Sequence, residues 1–329
     1  MKRISMLVVA LFVIIAACNK SKTNEQQEIA VPEEASIAGA RYCAAYDVLQ
    51  ENLKKDLGLQ ARMDAIEEFT ARYEANPAAF RILTNGDLEV PVVVNVLYSS
   101  SAQNVSDAQI ASQIAVLNAD FGGTNSDLNI TSTYNNVKFT STSTLPKIRF
   151  VLANTVRKST TTTAWGTNDA MKRSSSGGID ATSPTTTLNM WVCNLSGGIL
   201  GYAQFPGGTA ATDGVVCDDN AFGTTGTATA PFNKGRTATH EVGHYFNLRH
   251  IWGDKRCGTD GVGDTPTHTG ANYGCPRAGI TSSCTGRQVM MTMNYMDYTD
   301  DACMYMFSIG QVNRMNATWV AGGPRAGLR

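Results

Sequence analysis

Three of the chain's four histidines fall in one window, His240-Glu241-Val242-Gly243-His244-Tyr245-Phe246-Asn247-Leu248-Arg249-His250. On a helix, residues four apart share a face, so His240 and His244 can aim two imidazoles at one ion, with Glu241 beside them. His250 lies six residues on, too far round to reach that ion if the helix continued. The chain must therefore turn sharply after His244. Asn247 is where it can, because Asn, after Gly, is among the residues that best tolerate the left-handed backbone that ends helices. Three nitrogen ligands with one open coordination position describe a catalytic zinc site, whereas structural zinc closes all four. Glu241, not needed as a ligand, would be the general base that takes a proton from zinc-activated water.

The string from His240 to His250 resembles the elongated motif of the metzincin zinc endopeptidases. Extended through Ile251-Trp252-Gly253-Asp254, it is similar to the pappalysin family in its bacterial cytophagalysin branch. Asn247 stands where the metzincin pattern has Gly. The resemblance implies further roles. Met293-Asn294-Tyr295-Met296-Asp297-Tyr298 resembles the Met-turn beneath the metal, with Met296 as its methionine. Tyr298 has the spacing of a tyrosine that, in some metzincins, swings between metal and oxyanion. The stretch from Gly198 to Gly207 resembles the edge strand that holds substrate main chain to main chain, so a protein or peptide substrate would lie along Leu200, Gly201, Tyr202, Ala203 and Gln204. Asp300 and Asp301, expected in the pocket below zinc, point to a basic side chain after the scissile bond. Cys257, Cys275, Cys284 and Cys303 have the spacing of the family's two crossed bridges, Cys257 to Cys284 and Cys275 to Cys303; spacing alone permits three pairings. Asp260, Asp264 and Thr265 are hard oxygen donors in a Gly-rich loop where family members bind calcium, which makes calcium a second expected ion. The implied fold class is α/β (α+β), a metzincin catalytic domain with a twisted, mainly parallel sheet, an active-site helix ending near Asn247 and an irregular lower half after His250.

The start of the chain sets the expected compartment. Met1-Lys2-Arg3 is basic and Ile4 to Ala17 is apolar but for Ser5, the pattern of a signal peptide. Ile15-Ala16-Ala17-Cys18 resembles the lipobox of bacterial lipoproteins, so Cys18 would carry lipid and be the only attachment to a membrane. Asn19 to Glu34 is a polar tether. Removing Cys18 leaves seven cysteines, an odd number. If Cys193 and Cys217 pair as neighbouring strand residues and the other four pair as the family implies, Cys43 is left over. It lies where related pro-segments carry an inhibitory cysteine, although the usual Gly-Thr after it is missing. A thiolate is a strong zinc ligand, so Cys43 could fill the open position and silence the enzyme.

These residues need elements to hold them. Val48, Leu49, Leu53, Leu57, Leu59, Met63, Ile66, Phe69 and Tyr73 predict helix from Tyr46 to Asn76, stopped by Pro77. Leu88 to Tyr98, Lys147 to Ala153 and Leu188 to Asn194 read as strands, with a Thr/Ser/Gly-rich surface loop over 154–187. Ser106 can cap a helix bearing Ile110, Ile114, Leu117 and Phe121, and Ser308 with Gln311 forms a capping box for a last helix reaching Trp319. The 329 residues carry 43% hydrophobic side chains and a net charge of -1, enough for a real core and no basic face for nucleic acid. The expected organisation is 1–18 signal peptide, 19–85 tether and helical pro-segment, and 86–329 catalytic domain. The activation cut is expected between about Asn76 and Leu88, with Arg72 and Arg81 as recognition residues. The whole reads as a lipid-anchored zinc endopeptidase made as a zymogen. Its rivals are a non-catalytic surface lipoprotein that binds zinc or peptide, and a zinc amidase acting on cell-wall peptides.

Overall fold

A computed structural model describes residues 39–80 and 86–328. Cys18 and the tether from Asn19 to Glu34 lie outside them, as does Arg81. Two helices come first, α1 (Ala45–Lys55) and α2 (Leu59–Ala75). The sequence pattern merged them through Leu57, yet Leu57 is 92% exposed at the joint, where the Asp56 side chain accepts a hydrogen bond from the Gly58 amide. Pro77 follows the end of α2, as expected.

Five strands then form one sheet in the order β2-β1-β3-β5-β4. They are β1 (Leu88–Tyr98), β2 (Ile148–Ser159), β3 (Leu188–Cys193), β4 (Gly201–Ala203) and β5 (Val215–Asp218). All neighbouring pairs are parallel except β4 with β5, so β4 is an antiparallel edge. β1 and β3 are hydrophobic on both faces because the sheet buries both. β2 continues past the expected Ala153 to Ser159. Its register shifts opposite Val92 and Val93, and its far half is only part-buried on the other edge, which removes the hydrophobic signature there.

That register also corrects one expected bridge. Val192 pairs with Cys217 and Cys193 with Asp218, so the two cysteines are one position out of step and their side chains leave opposite faces. Cys193 and Cys217 are therefore buried free thiols, as is Cys43. The other four cysteines form Cys257–Cys284 and Cys275–Cys303, with Cα separations of 5.7 and 5.6 Å.

α3 (Asp107–Gly122) packs on the sheet, capped by Ser106 through the Gln109 amide. Its Phe121 meets Phe150 of β2 and Phe307 edge-on or tilted. α4 (Arg236–Tyr245) is buried along its whole length. α5 (Ile309–Ala317) opens with the Ser308–Gln311 capping box and ends two residues short of Trp319. Between α4 and α5 the chain is irregular, held by the two bridges. The described residues form one compact unit, and among them no helix is long and apolar enough to cross a membrane.

Candidate active site

α4 presents His240 and His244 one turn apart, their Nε2 atoms 3.1 Å from each other. The helix ends at Asn247, whose φ of 71° is left-handed. The Leu248 amide bonds the Gly243 carbonyl and the Asn247 amide bonds the His244 carbonyl, which is the Schellman pattern. That turn returns the chain so that the Nε2 of His250 also lies 3.1 Å from that of His244.

Each ring is aimed by its other nitrogen. His240 Nδ1 faces the Tyr295 carbonyl at 2.6 Å and His244 Nδ1 the Leu248 carbonyl at 2.7 Å. His250 Nδ1 bonds the Asp254 carboxylate. Carbonyls and carboxylates only accept, so Nδ1 carries the proton and Nε2 keeps its lone pair. Burial pushes His240 well below the usual imidazole range and His244 down to about 3, so both stay neutral and free to ligate. Cys43 Sγ joins them: the four donor atoms lie within 4.8 Å of one another and all four residues are buried. Among the described residues this is the one such cluster. Three imidazoles and one thiol at this spacing fit a zinc ion.

Glu241 is buried beside the cluster, with Oε2 3.3 Å from Cys43 Sγ. Burial pushes its carboxyl up to about 8. The same burial, then the charge of Glu241, push the Cys43 thiol well up; a divalent cation would reverse that preference. Met296 lies under α4, where a Cβ on Gly243 would come 2.5 Å from its Sδ, so glycine there lets the turn approach. The Tyr298 hydroxyl donates to the Cys43 carbonyl at 2.9 Å, and its ring stands 5.0 Å from that of His250.

The edge strand is already covered. Residues 42–44 run parallel to β4: the Ala44 amide donates to the Gly201 carbonyl (3.0 Å) and the Leu200 amide to the Tyr42 carbonyl (2.9 Å). A Cβ on Gly201 would lie 2.8 Å from the Val216 carbonyl and 2.9 Å from Glu241 Cγ, so this residue must be glycine for strand and carboxylate to meet. Of the five expected substrate-holding residues, Leu200 and Gly201 offer main chain to this segment. Tyr202 and Gln204 turn their side chains into the body, onto Asp169 and Thr212, and Ala203 pairs with Val215.

Arg41 was not among the expected site residues. It is buried, and its guanidinium reaches Asp301 Oδ1, the Thr237 hydroxyl (3.1 Å) and the Thr299 carbonyl (3.1 Å), lying over the Phe232 ring. Asp301 Oδ2 takes amides from Lys234 and Arg236 at the start of α4. The sequence signal for Arg41 was thin: it is the one charged residue between Glu34 and Asp47. In the expected calcium loop, Asp260 accepts from Thr265 and the Val262 amide, while Asp264 turns to the Ser308 hydroxyl (2.6 Å) and the Gly310 amide (2.8 Å) at the start of α5. The three donors do not converge.

Residues 180–320 match the family described as Pregnancy-associated plasma protein-A. A relative from Arthroderma otae named Extracellular metalloprotease is 30% identical over 263 residues, 78% of this chain and 86% of its own. One of the same name from Verticillium alfalfae is 34% identical over 245 residues, covering 70% and 78%. Mature mirolysin of Tannerella forsythia, solved in complex with a cleaved peptide, superposes with a TM-score of 0.70 at 45% identity, covering 74% of this chain and 96% of that one. A promirolysin mutant from the same organism gives 0.72 at 43%, covering 79% and 90%. The mostly parallel sheet and its buried helix α4 thus have the metzincin fold of mirolysin, and the chain belongs to the pappalysin family of metzincin metalloendopeptidases.

Proposed function

We propose that this chain is an exported zinc endopeptidase made as a latent precursor, in which His240, His244 and His250 hold the ion and Cys43 supplies the fourth donor until the segment before residue 86 is removed. The observation that carries the reading is the approach of Cys43 Sγ and three imidazole Nε2 atoms to within 4.8 Å of one another. A thiolate there occupies the position a reacting substrate needs. The similarity to promirolysin supports latency, and the extracellular relatives support export.

A zinc ion held by His240, His244 and His250 would supply Lewis acidity, polarising a carbonyl and making water acidic enough to deprotonate near neutral pH. Glu241 takes the proton of the attacking water and returns it to the leaving amine. The Tyr298 hydroxyl, which here donates to the Cys43 carbonyl, then donates to the oxygen that gains charge. Substrate takes the main-chain positions at Leu200 and Gly201 that residues 42–44 vacate. Arg41 sits as a substrate's basic side chain would, so Asp301, rather than Asp300, selects basic residues. Cys18 would carry the lipid.

Hydrolysis of casein by the processed protein tests this. Glu241→Ala should lower kcat by roughly 10²–10⁴-fold with zinc content unchanged. Equal turnover by both proteins removes Glu241 from the mechanism. No turnover by either favours a peptide-binding lipoprotein, and turnover restricted to cell-wall peptides favours an amidase.

A further inference from the structure

The three zinc-facing imidazoles are not held alike. His240 and His244 give their Nδ1 protons to neutral backbone carbonyls, whereas His250 gives its proton to a carboxylate, Asp254. The chain makes a special turn to achieve this. The Gly253 amide bonds the His250 carbonyl at 2.8 Å, and Gly253 and Asp254 are both left-handed, with φ of 66° and 57°. A non-glycine residue held there costs on the order of 1 kcal/mol, so Asp254 keeps a conformation that Gly or Asn would adopt more easily. The turn folds its carboxylate back over a ring four residues earlier.

The ring itself is clamped. Trp252 stacks on His250 with centroids 4.4 Å apart and planes within 6°. Tyr298 meets it edge-on at 5.0 Å and 83°. Stacking fixes the plane of the imidazole and leaves its rotation within that plane to the Nδ1 bond.

We propose that Asp254 is a positioning residue for the third zinc ligand, fixing the Nδ1-protonated form of His250 and adding electron density to its Nε2, so that this histidine is the strongest of the three nitrogen donors. The inference rests on the zinc reading above. Charged outer partners of metal-bound histidines are worth about 10–100-fold in affinity. Asparagine at 254 keeps an acceptor oxygen but loses the charge; alanine loses both.

The test is competition for zinc between a chelator and the full-length chain, as wild type, Asp254→Asn and Asp254→Ala, beside the cobalt(II) absorption of each and the melting temperature of the metal-free form. Wild type should bind one zinc, with Asn about 10-fold and Ala about 100-fold weaker, a shifted cobalt band in both, and little change in metal-free melting. Unchanged zinc affinity and cobalt spectra in both variants overturn the inference. So does a loss of affinity matched by an equal loss of metal-free stability, since that marks Asp254 as mere loop support. If Ala does not fold, the near-isosteric Asn variant decides. Absence of zinc from the wild type would instead remove the underlying zinc reading.

Discussion

His268, the one histidine outside the 240–250 window, holds the segment that leads into residues 293–298. Its Nε2 accepts the Met291 amide at 2.9 Å, which only a neutral ring can do. Burial holds its pKa down to about 4. The Asp297 carboxylate lies 3.5 Å from Nδ1, but His268 stays neutral because charging it forfeits the Met291 bond. Since the unfolded ring titrates near 6.5 and the folded one near 4, this contribution is complete above 6.5 and is lost as pH falls through about 4. It amounts to roughly 3 kcal/mol. Denaturant titrations from pH 7 to 4 should show wild type losing its advantage over His268→Gln, which accepts the same amide without titrating. A pH-independent difference would contradict this. At this scale the gathering of the three imidazoles was legible because four-residue spacing and the turn at Asn247 are local properties. Arg41 was not, because its meaning depends on Asp301, 260 residues away.

Elements place these side chains, and α4 shows how narrowly. Its C-terminal turn is what brings His250 back, and Asn247 holds that turn left-handed. Asn247→Ala should destabilise the chain by about 1 kcal/mol while Asn247→Gly should not, as read by chemical denaturation. Equal losses in both would instead assign the role to the side-chain bond from Asn247 Nδ2 to Glu67. The caps at Ser106 and Ser308 were readable because a cap is decided within four residues. The Cys193 and Cys217 pairing was misread because strand register is set by whole-sheet packing, and a one-residue offset sends the thiols to opposite faces. The far half of β2 was missed for a related reason, since a half-exposed edge strand carries no hydrophobic alternation.

The molecule as a whole joins a sheet-based upper half to a lower half with little regular structure, and clamps the early helices across both. Glu67 of α2 accepts from Arg314 of α5 at 2.5 Å, and Tyr73 packs with Ala317 and Val320. Arg314 in turn holds the Asn247 carbonyl. None of this was visible in the sequence, where the amphipathic helix showed an apolar stripe but not its partner. The lower half depends on Cys257–Cys284 and Cys275–Cys303. Replacing Cys257 and Cys284 together by Ser should cost about 2–5 kcal/mol, with amide exchange rising over 251–307 before it rises in the sheet. Uniform loss of protection would deny the two halves their separate supports.

In the proposed function, latency and chemistry both depend on one arrangement, three imidazoles and the Cys43 sulfur around a single zinc ion. X-ray absorption at the zinc edge of the intact precursor reports it directly. The expected result is three nitrogen neighbours at about 2.0–2.1 Å and one sulfur at about 2.3 Å, with the sulfur lost in Cys43→Ser. A shell without sulfur in the wild type, or with fewer than three nitrogens, would contradict the account.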